Sequence, residues 1–212
     1  MPYLIIINLS FEKGRLMDHY FTNNQNLKSE IRVIDFSYAG KDITFFSDNG
    51  VFSKNKIDYG SFVLLDTFIK KSKYKKDILD VGCGYGFIGI SLSKVLDAYV
   101  EMCDINKRAL HLANENISHN KANAKAFESN VYENVEKEYQ VIITNPPVRA
   151  GKKVLLDFLI NAKDHLKEGG ELWYVLRKDQ GAKSIAETLN NYYKVENIKK
   201  DKGFYIFCAQ KC

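Results

Sequence analysis

The feature that most constrains this fold is an alternation of apolar runs and helix-like segments that begins near residue 77. Short apolar runs with strand character are followed by segments whose apolar residues recur at helical spacing. Alternating strands and helices predict a parallel sheet joined by right-handed crossovers. The last two runs are separated only by Lys199–Gly203, too short for a crossover, so they are predicted to pair as an antiparallel hairpin.

These patterns predict an α/β fold with a Rossmann-like, mostly parallel sheet and a terminal antiparallel strand. The predicted strands of this sheet are Asp77–Val81, Tyr99–Cys103, Lys125–Glu128, Tyr139–Thr144, Glu171–Leu176, Tyr193–Ile198 and Phe204–Ala209. The predicted helices are Ser61–Lys70, Phe87–Leu96, Lys107–Asn120, Val154–Leu166 and Ala182–Leu189. Ile31–Tyr38 and Asp42–Ser47 are β-rich and flank a turn containing Gly40, which predicts an N-terminal β-hairpin.

We expect three segments along the chain. Residues 1–16 are a possible N-terminal extension, with Met17 as an alternative start. Residues 17–76 form a hairpin and helix region packed on the core, and residues 77–212 form the cofactor-binding core. A chain of 212 residues suits one such domain with a short extension.

The net charge of +5 is unevenly distributed. Residues 1–76 carry a balance of +4, residues 77–148 a balance of −4, and residues 149–212 a balance of +5. Basic flanks fit a phosphate-rich partner, because lysine and arginine release counterions from nucleic acid. A solvated, lysine-rich surface explains the same numbers, and the charge alone leaves both interpretations open.

The four cysteines give no sign of a disulfide framework or a zinc site. Cys83, Cys103, Cys208 and Cys212 include no pair with CxxC spacing. This usage is typical of a reducing cytoplasm and predicts no structural metal. The apolar run Tyr3–Ile7 is too short for a signal-peptide core, and no stretch approaches a transmembrane length, so we expect a cytoplasmic protein without membrane contact.

A glycine-rich turn joins the first core strand to the first core helix. Its sequence is Asp80-Val81-Gly82-Cys83-Gly84-Tyr85-Gly86, and glycines at such a turn let a ligand approach the backbone over the helix N-terminus. The GxGxG spacing and the preceding carboxylate suit a cationic ligand better than a pyrophosphate, which favours S-adenosylmethionine. The predicted cofactor-binding residues are Asp80, Gly82, Cys83, Gly84 and Gly86; a purely structural turn is the alternative.

A second acidic residue ends the next predicted strand. Asp104 follows the glycines by about 20 residues, the spacing at which a carboxylate accepts hydrogen bonds from ribose hydroxyls. The alternative is a helix N-cap for Lys107–Asn120. We include Ile105 beside Asp104, and Asn130 in the loop after the third strand, among the predicted cofactor-binding residues.

An Asn-Pro-Pro turn follows the fourth core strand. Asn145, Pro146 and Pro147 are the predicted catalytic residues, and Asn145 also belongs to the predicted cofactor site. Prolines fix the turn and remove donors, so its carbonyls are expected to be free. The Asn145 side-chain oxygen and the Pro146 carbonyl are then expected to accept two hydrogen bonds from one planar NH2 group. A strand-terminating turn is the alternative.

Two further segments lie near these motifs in sequence. Arg149, Lys152 and Lys153 follow the Asn-Pro-Pro turn and are predicted to bind RNA phosphates, or else form the exposed first turn of a helix. The polar, aromatic segment Phe52–Gly60 precedes the core and is either a lid over the cofactor or an ordinary connecting loop.

The motifs together resemble the class I methyltransferase superfamily, and the Asn-Pro-Pro turn resembles its amino-methylating branch. A closer likeness is to the ribosomal RNA small subunit methyltransferase C family, in its short single-domain form. It rests on Tyr20-Phe21-Thr22-Asn23-Asn24, Asp48-Asn49-Gly50-Val51-Phe52-Ser53, Asp58-Tyr59-Gly60-Ser61 and Asn145-Pro146-Pro147-Val148-Arg149-Ala150-Gly151. This resemblance implies guanine-N2 methylation of 16S rRNA, with rRNA or the small ribosomal subunit as the partner.

The sequence departs from the family in two respects. Val148 stands where longer members have an aromatic residue that would stack on the target base, and the second, degenerate domain of those members is lacking. Adenine-N6 methylation, protein-glutamine methylation and a non-catalytic assembly protein that binds S-adenosylmethionine and RNA remain alternatives. Val148 argues against the glutamine class, which usually shows Asn-Pro-Pro-Tyr. The GxGxG spacing and the terminal strand pair disfavour a nicotinamide enzyme.

Overall fold

A computed structural model describes residues 27–212. The expectations for residues 1–16, for Met17 as a start and for the Tyr20–Asn24 motif lie outside the described residues. The strands are β1 (Arg32–Tyr38), β2 (Lys41–Ser47), β3 (Ile78–Val81), β4 (Val100–Asp104), β5 (Ala124–Glu128), β6 (Tyr139–Thr144), β7 (Leu166–Arg177), β8 (Lys194–Asp201) and β9 (Phe204–Gln210). The helices are α1 (Tyr59–Lys71), α2 (Phe87–Leu96), α3 (Lys107–Asn120), α4 (Lys152–Asn161) and α5 (Ala182–Leu189).

Seven strands form the central sheet in the order β5-β4-β3-β6-β7-β9-β8. The first five strands in this order run parallel, while β9 pairs antiparallel with both β7 and β8. The predicted fold class, including the terminal antiparallel strand, is confirmed. The winding reverses between β3 and β6, which is where open α/β sheets bind ligands. The carboxyl edge, where β3, β4 and β6 end, therefore holds the candidate site.

Two buried clusters hold the helices on the two faces of this sheet. On one face, apolar side chains of α1, α2 and α3 pack with those of β2 and β4. On the other face, α4 and α5 pack with apolar side chains of β6, β7 and β9. Strands β3 and β6 alternate between the clusters, since Ile78 and Val141 contribute to the first and Leu79 and Ile142 to the second.

The N-terminal hairpin β1–β2 is held against α3 by asparagine side chains. Asn116, fully buried, accepts a hydrogen bond from Phe46 N at 2.7 Å and donates to Phe46 O at 3.0 Å and to Tyr85 O at 2.9 Å. Asn120 makes the equivalent pair of bonds with the backbone of Thr44, at 3.0 and 2.8 Å. The outward backbone groups of β2 are thus satisfied by a helix instead of a further strand.

The fourth core helix differs from its prediction. The sequence pattern predicts a helix over Val154–Leu166, whereas α4 ends at Asn161, a 3-10 turn covers Ala162–His165, and Leu166 begins β7. Leu166 lies opposite Tyr139 of β6, and an irregularity in the pairing follows it. Leu166 is buried in the same cluster as Leu159 and Ala162, so the apolar spacing continues although the helix has ended.

The structure bears on membranes, metals and disulfides only for the part of the chain it describes. Within residues 27–212, no helix combines the length and apolar character needed to cross a bilayer. The same residues contain no group of three or more His, Cys, Asp or Glu side chains suited to hold a metal ion. All four cysteines have free thiols, and Cys83 and Cys103 are buried.

Candidate active site at the carboxyl edge

The glycine-rich turn is built on left-handed backbone at three positions. Gly82, Gly84 and Gly86 have φ values of 72°, 57° and 92°, a region that L side chains rarely adopt. A Cβ on Gly86 would also lie 2.7 Å from Cδ1 of Ile90, whereas one on Gly82 or Gly84 would meet no atom within 4 Å. The outer side of the turn is therefore bare backbone facing open space at the N-terminus of α2, as a close-fitting ligand requires.

The base of the turn is fixed to the neighbouring strand. The backbone N–H groups of Gly82 and Cys83 both donate to Cys103 O, at 2.9 and 3.1 Å. The Cys83 side chain is buried and Gly82 is exposed. The Cys83 carbonyl also accepts from Gly86 N at 3.0 Å, and its thiol, whose pKa is raised by burial, packs inward. Contact of Cys83 with a cofactor remains a prediction.

Asp80 lies beneath the turn and is almost completely inaccessible to solvent. Its Oδ2 accepts a hydrogen bond from Gly89 N in the first turn of α2, at 2.9 Å. Burial, followed by the charge of Asp104, raises the pKa of Asp80 to about 7, and the Gly89 bond opposes that shift. The carboxyl group thus stands where a cationic ligand above the turn would favour its ionised form.

Asp104 closes the turn from the end of β4. Its Oδ2 accepts a hydrogen bond from Gly84 N at 2.8 Å, and its Oδ1 accepts one from Asn106 N at 2.9 Å. Burial raises its pKa, while these backbone bonds act in the opposite direction. The backbone N–H of Ile105 also hydrogen-bonds this carboxylate, which has four lone pairs and can still accept from a ligand hydroxyl. The N-cap alternative is wrong, because Asn106 caps α3 by accepting from Arg108 N and Ala109 N.

The remaining predicted cofactor residues flank Asp104. Ile105 follows it directly and is half-buried. Ser129, in the loop after β5, is buried and donates its N–H to Asp104 O at 3.1 Å, which brings this loop to the same corner of the site. Asn130 is exposed and donates its side-chain amide to Glu133 at 2.8 Å. Contact of Ile105 and Asn130 with a cofactor remains a prediction.

The Asn-Pro-Pro turn follows β6 at the same edge, and its asparagine is firmly oriented. Asn145 Nδ2 donates to Asp58 Oδ2 at 3.1 Å and to Ser61 Oγ at 2.8 Å. A carboxylate only accepts hydrogen bonds, so it selects the NH2 end of the amide. The side-chain oxygen of Asn145 is thereby turned away from Asp58 and remains available as an acceptor.

The prediction that the carbonyls of this turn are free is wrong. Pro146 O accepts a hydrogen bond from Val148 N at 2.9 Å, and Pro147 O accepts one from Ala150 N at 3.1 Å. Pro147 has φ −75° and ψ 75°, an inverse γ-turn that brings the carbonyl before it to the N–H after it. A carbonyl has two lone pairs, so Pro146 O retains one for a substrate amine.

Asp58 and Ser61 are functional candidates that the predicted site residues omitted. Asp58 is the N-cap of α1, where the same Oδ2 that contacts Asn145 also accepts from Ser61 N at 2.7 Å. The signal was present in the sequence, because an aspartate three residues before a helical pattern is typical of an N-cap. The contact with Asn145, across 87 residues, required the tertiary structure.

The segment between the hairpin and α1 crosses the site. At its start, Gly50 O accepts a hydrogen bond from Asn106 Nδ2 at 3.1 Å, beside Asp104; at its end, Asp58 holds Asn145. The side chain of Phe52 is 56% exposed. The segment Phe52–Gly60 therefore runs from the Asp104 corner to the Asn145 corner, the course that a covering loop needs.

The residues after the Asn-Pro-Pro turn divide between core and surface. Val148 is half-buried and packs against the cluster beneath α4 and α5, so it supports the turn instead of stacking on a base. Arg149, Lys152 and Lys153 are exposed, and Lys152 Nζ donates to Ser184 Oγ at 3.0 Å. Their predicted contact with RNA phosphates remains a prediction.

The sequence has clear relatives. The family model for the methyltransferase small domain matches residues 42–208. YbxB of Bacillus subtilis, described as an uncharacterized protein, is 43% identical over 201 residues, which is 92% of this chain and 100% of YbxB. A Haemophilus influenzae (strain Rd) protein named ribosomal RNA small subunit methyltransferase C is 36% identical over 179 residues, covering 81% of this chain and 53% of that protein. The chain thus spans about half the length of that named relative.

Two solved structures share the fold. A T. thermophilus 16S rRNA N2 G1207 methyltransferase in complex with AdoMet and guanosine has a TM-score of 0.77 and 23% identity, covering 88% of this chain and 52% of that one. A Pyrococcus furiosus methyltransferase has a TM-score of 0.64 and 23% identity, covering 71% and 82%. Since the family model matches residues 42–208, which is most of the chain, the chain belongs to the methyltransferase small domain family and is an S-adenosylmethionine-dependent methyltransferase.

Proposed function

We propose that this enzyme methylates the exocyclic N2 of a guanine in 16S rRNA. The observation that carries the proposal is the orientation of Asn145, whose NH2 group is held by Asp58 and Ser61 so that its oxygen is left to accept from a substrate amine. The H. influenzae relatives named ribosomal RNA small subunit methyltransferase C support the choice of rRNA as the substrate class.

The chemistry follows from these positions. When bound, S-adenosylmethionine would supply a sulfonium methyl group. The substrate amine nitrogen would form the new N–C bond as the C–S bond breaks with its electron pair on sulfur, and the methylated nitrogen would then release one proton to water. Asn145 Oδ1 and the remaining lone pair of Pro146 O accept the two amine hydrogens and hold the NH2 plane. Such fixed acceptors stabilise positive charge as it develops on nitrogen, without needing to reorganise. The target base must leave its stack to reach this edge.

Cofactor binding is assigned to the Gly82–Gly86 turn and to Asp104. The turn offers bare backbone at the N-terminus of α2, and the Asp104 carboxylate can accept a further hydrogen bond from a ribose hydroxyl. The ionised form of Asp80 beneath the turn favours a cationic ligand. This donor set fits a zwitterionic, sulfonium-bearing cofactor better than it fits a pyrophosphate.

The decisive experiment is methyl transfer from radiolabelled S-adenosylmethionine to three acceptors: naked 16S rRNA, assembled small subunits and release factors. The matched variants are Asn145→Ala and Asn191→Ala, the latter an exposed asparagine after α5. We expect label on a guanine of the RNA, with Asn145→Ala lowering kcat by about 100-fold, as for the loss of one catalytic hydrogen-bonding group. Label on release factors alone would assign the enzyme to the glutamine class. Cofactor binding without transfer to any acceptor would favour the assembly role.

A further inference from the structure

We propose that the acceptor RNA next to the target base binds as a single strand across the carboxyl end of β7 and the start of β9. This basic-aromatic surface consists of Tyr59, Arg177, Lys178, Lys202 and Phe204. The proposal rests on the proposed function, because it concerns the substrate of the same site. It adds the path of the chain on either side of the target base.

The order of strands in the sheet indicates on which side of the target base the flanking RNA lies. The cofactor residues belong to the loops after β3 and β4, and Asn145 follows β6. In the sheet, β3 lies on one side of β6, and β7 followed by β9 lies on the other. A base at Asn145 therefore has the cofactor on its β3 side. The carboxyl end of β7 and the β8–β9 turn lie on the other side, where flanking nucleotides can bind.

Beside Asn145, the carboxyl end of β7 and the start of β9 project beyond the end of β6. Tyr174 of β7 is level with Thr144, the last residue of β6, and β7 continues three residues further to Arg177. Three residues of strand extend about 10 Å. Arg177 pairs with Phe204 across the two strands, and Lys178 N donates to Gly203 O at 2.8 Å to close the turn.

Aromatic rings line the side of this projecting part of β7 and β9 that faces α1. Phe204 packs so closely on Gly60 that a Cβ there would lie 2.7 Å from its Cε1. The Tyr59 and Phe204 ring centroids are 5.8 Å apart, and both side chains are half-buried. Gly60 adjoins Ser61, which binds the Asn145 amide at 2.8 Å, so these rings belong to the surroundings of the catalytic turn.

Cations lie over these rings. The Arg177 guanidinium carbon is 5.7 Å from the Phe204 centroid, and Lys202 Nζ is 4.9 Å from the Tyr59 centroid. Arg177, Lys178 and Lys202 are exposed. The acidic neighbours are Asp179, 3.2 Å from Arg177, and Asp201, which accepts from the Tyr59 hydroxyl at 3.0 Å.

Aromatic rings with neighbouring cations fit single-stranded RNA, whose bases are exposed. Rings stack on bases irrespective of sequence, and guanidinium and ammonium groups bind the phosphates between them. The aromatic residue absent at Val148 is thus replaced by side chains from another part of the chain, the α1 start and the β9 start. The signal in sequence is the run Lys199–Phe204, in which four basic or aromatic residues surround a glycine turn.

The test compares two double variants of equal charge. Arg177→Gln with Lys202→Gln removes two cations from the basic-aromatic surface. Lys73→Gln with Lys194→Gln removes two exposed cations near the opposite edge of the sheet, where α1 has ended and β8 begins. Affinity for a 16S rRNA transcript is measured at several salt concentrations, alongside affinity for S-adenosylmethionine.

We expect the first double variant to bind RNA about tenfold more weakly at about 0.1 M salt, with a salt dependence reduced by about two ions. The opposite-edge variant should stay within about twofold of wild type, and both should keep wild-type cofactor affinity. Phe204→Leu, which keeps an apolar contact on Gly60, should also weaken RNA binding about tenfold through lost stacking.

The outcomes distinguish the two proposals. RNA methylation by the wild type together with unchanged RNA affinity in the first double variant would overturn the basic-aromatic surface and leave the proposed function standing. Equal losses in both double variants would also overturn it, because they would indicate a general charge effect. Methyl transfer to protein alone would overturn both proposals.

Discussion

Asp58 Oδ2 accepts a hydrogen bond from Asn145 Nδ2 at 3.1 Å and, at the same time, one from Ser61 N at 2.7 Å. One carboxylate oxygen therefore caps the N-terminus of α1 and orients the amide of the Asn-Pro-Pro turn. The two functions are separable, because a helix cap needs only a short polar side chain. Contact with Asn145 needs the length and the acceptor-only chemistry of the aspartate.

Asp58→Ser separates capping from orientation. Serine caps helices about as well as aspartate, so the free energy of unfolding should change by less than about 1 kcal/mol. The shorter side chain does not reach Asn145, and the amide can then rotate. We expect kcat to fall about tenfold to 100-fold, as for small misplacements of a catalytic group, with unchanged cofactor affinity. Steady-state kinetics and chemical denaturation of the same preparations measure both effects.

Asp58→Ala is the companion variant, because it loses the cap as well as the contact. It should lose about 1 kcal/mol of stability in addition to the fall in kcat. Wild-type kcat in Asp58→Ser, with Asp58→Ala impaired only through its stability, would show that Asp58 does no more than cap α1.

The buried carboxyl of Asp80 predicts a pH-dependent stability. Its pKa in the folded protein is about 7, above the ordinary value of 3.8, so the folded state holds this proton more tightly than the unfolded state. The stabilisation from Asp80 is complete below about 3.8 and is lost as the pH rises through about 7. Asp80→Asn keeps an oxygen for Gly89 N and cannot ionise. It should stabilise the ligand-free protein more at about pH 8 than at about pH 5.

Urea denaturation of the wild type and Asp80→Asn at the two pH values is the measurement. A difference in unfolding free energy between the two proteins that is the same at both pH values would contradict the assignment, since it would show that Asp80 is ionised throughout.

Asn116 predicts how tightly the hairpin is joined to the core. Its side chain makes three hydrogen bonds to the backbone of Phe46 and Tyr85 in a fully buried position. Asn116→Ala leaves these backbone groups without partners, and we expect a loss of about 2–4 kcal/mol. Asn120→Ala is the control, because Asn120 is half-buried and water can replace part of its bonding. A loss of about 1 kcal/mol is expected there, and equal losses would refute this ranking.

The backbone conformation of Gly86 predicts how much stability is lost when a side chain is added in the glycine-rich turn. It has a φ of 92°, and an added Cβ would lie 2.7 Å from Cδ1 of Ile90. Gly86→Ala should therefore lose about 2–3 kcal/mol from backbone strain and collision together. Gly40→Ala, at the hairpin turn, has a φ of 75° and no atom within 4 Å of the added Cβ, so it should lose about 1 kcal/mol from strain alone. Thermal denaturation of both variants tests whether the collision adds to the strain.

Local sequence determined most of the secondary structure and the two central motifs. The bounds of α2, α3, α5 and β6 agree with their predictions, because amphipathic periodicity and turn residues are local properties of the chain. The glycine-rich turn and the Asn-Pro-Pro turn could be located for the same reason. Their positions at the ends of β3 and β6 place both at one edge, since parallel strands share their carboxyl edge.

Tertiary structure decided the relationships that depend on residues far apart in sequence. The end of α4 was set by the pairing of Leu166 with Tyr139, which apolar spacing within one segment does not contain. The contact of Asp58 with Asn145 joins residues 87 positions apart in the sequence. The packing of Phe204 on Gly60 joins residues that are still further apart. Hydrogen bonds and ring contacts act over a few ångströms, so the fold must first bring their partners together before the site exists.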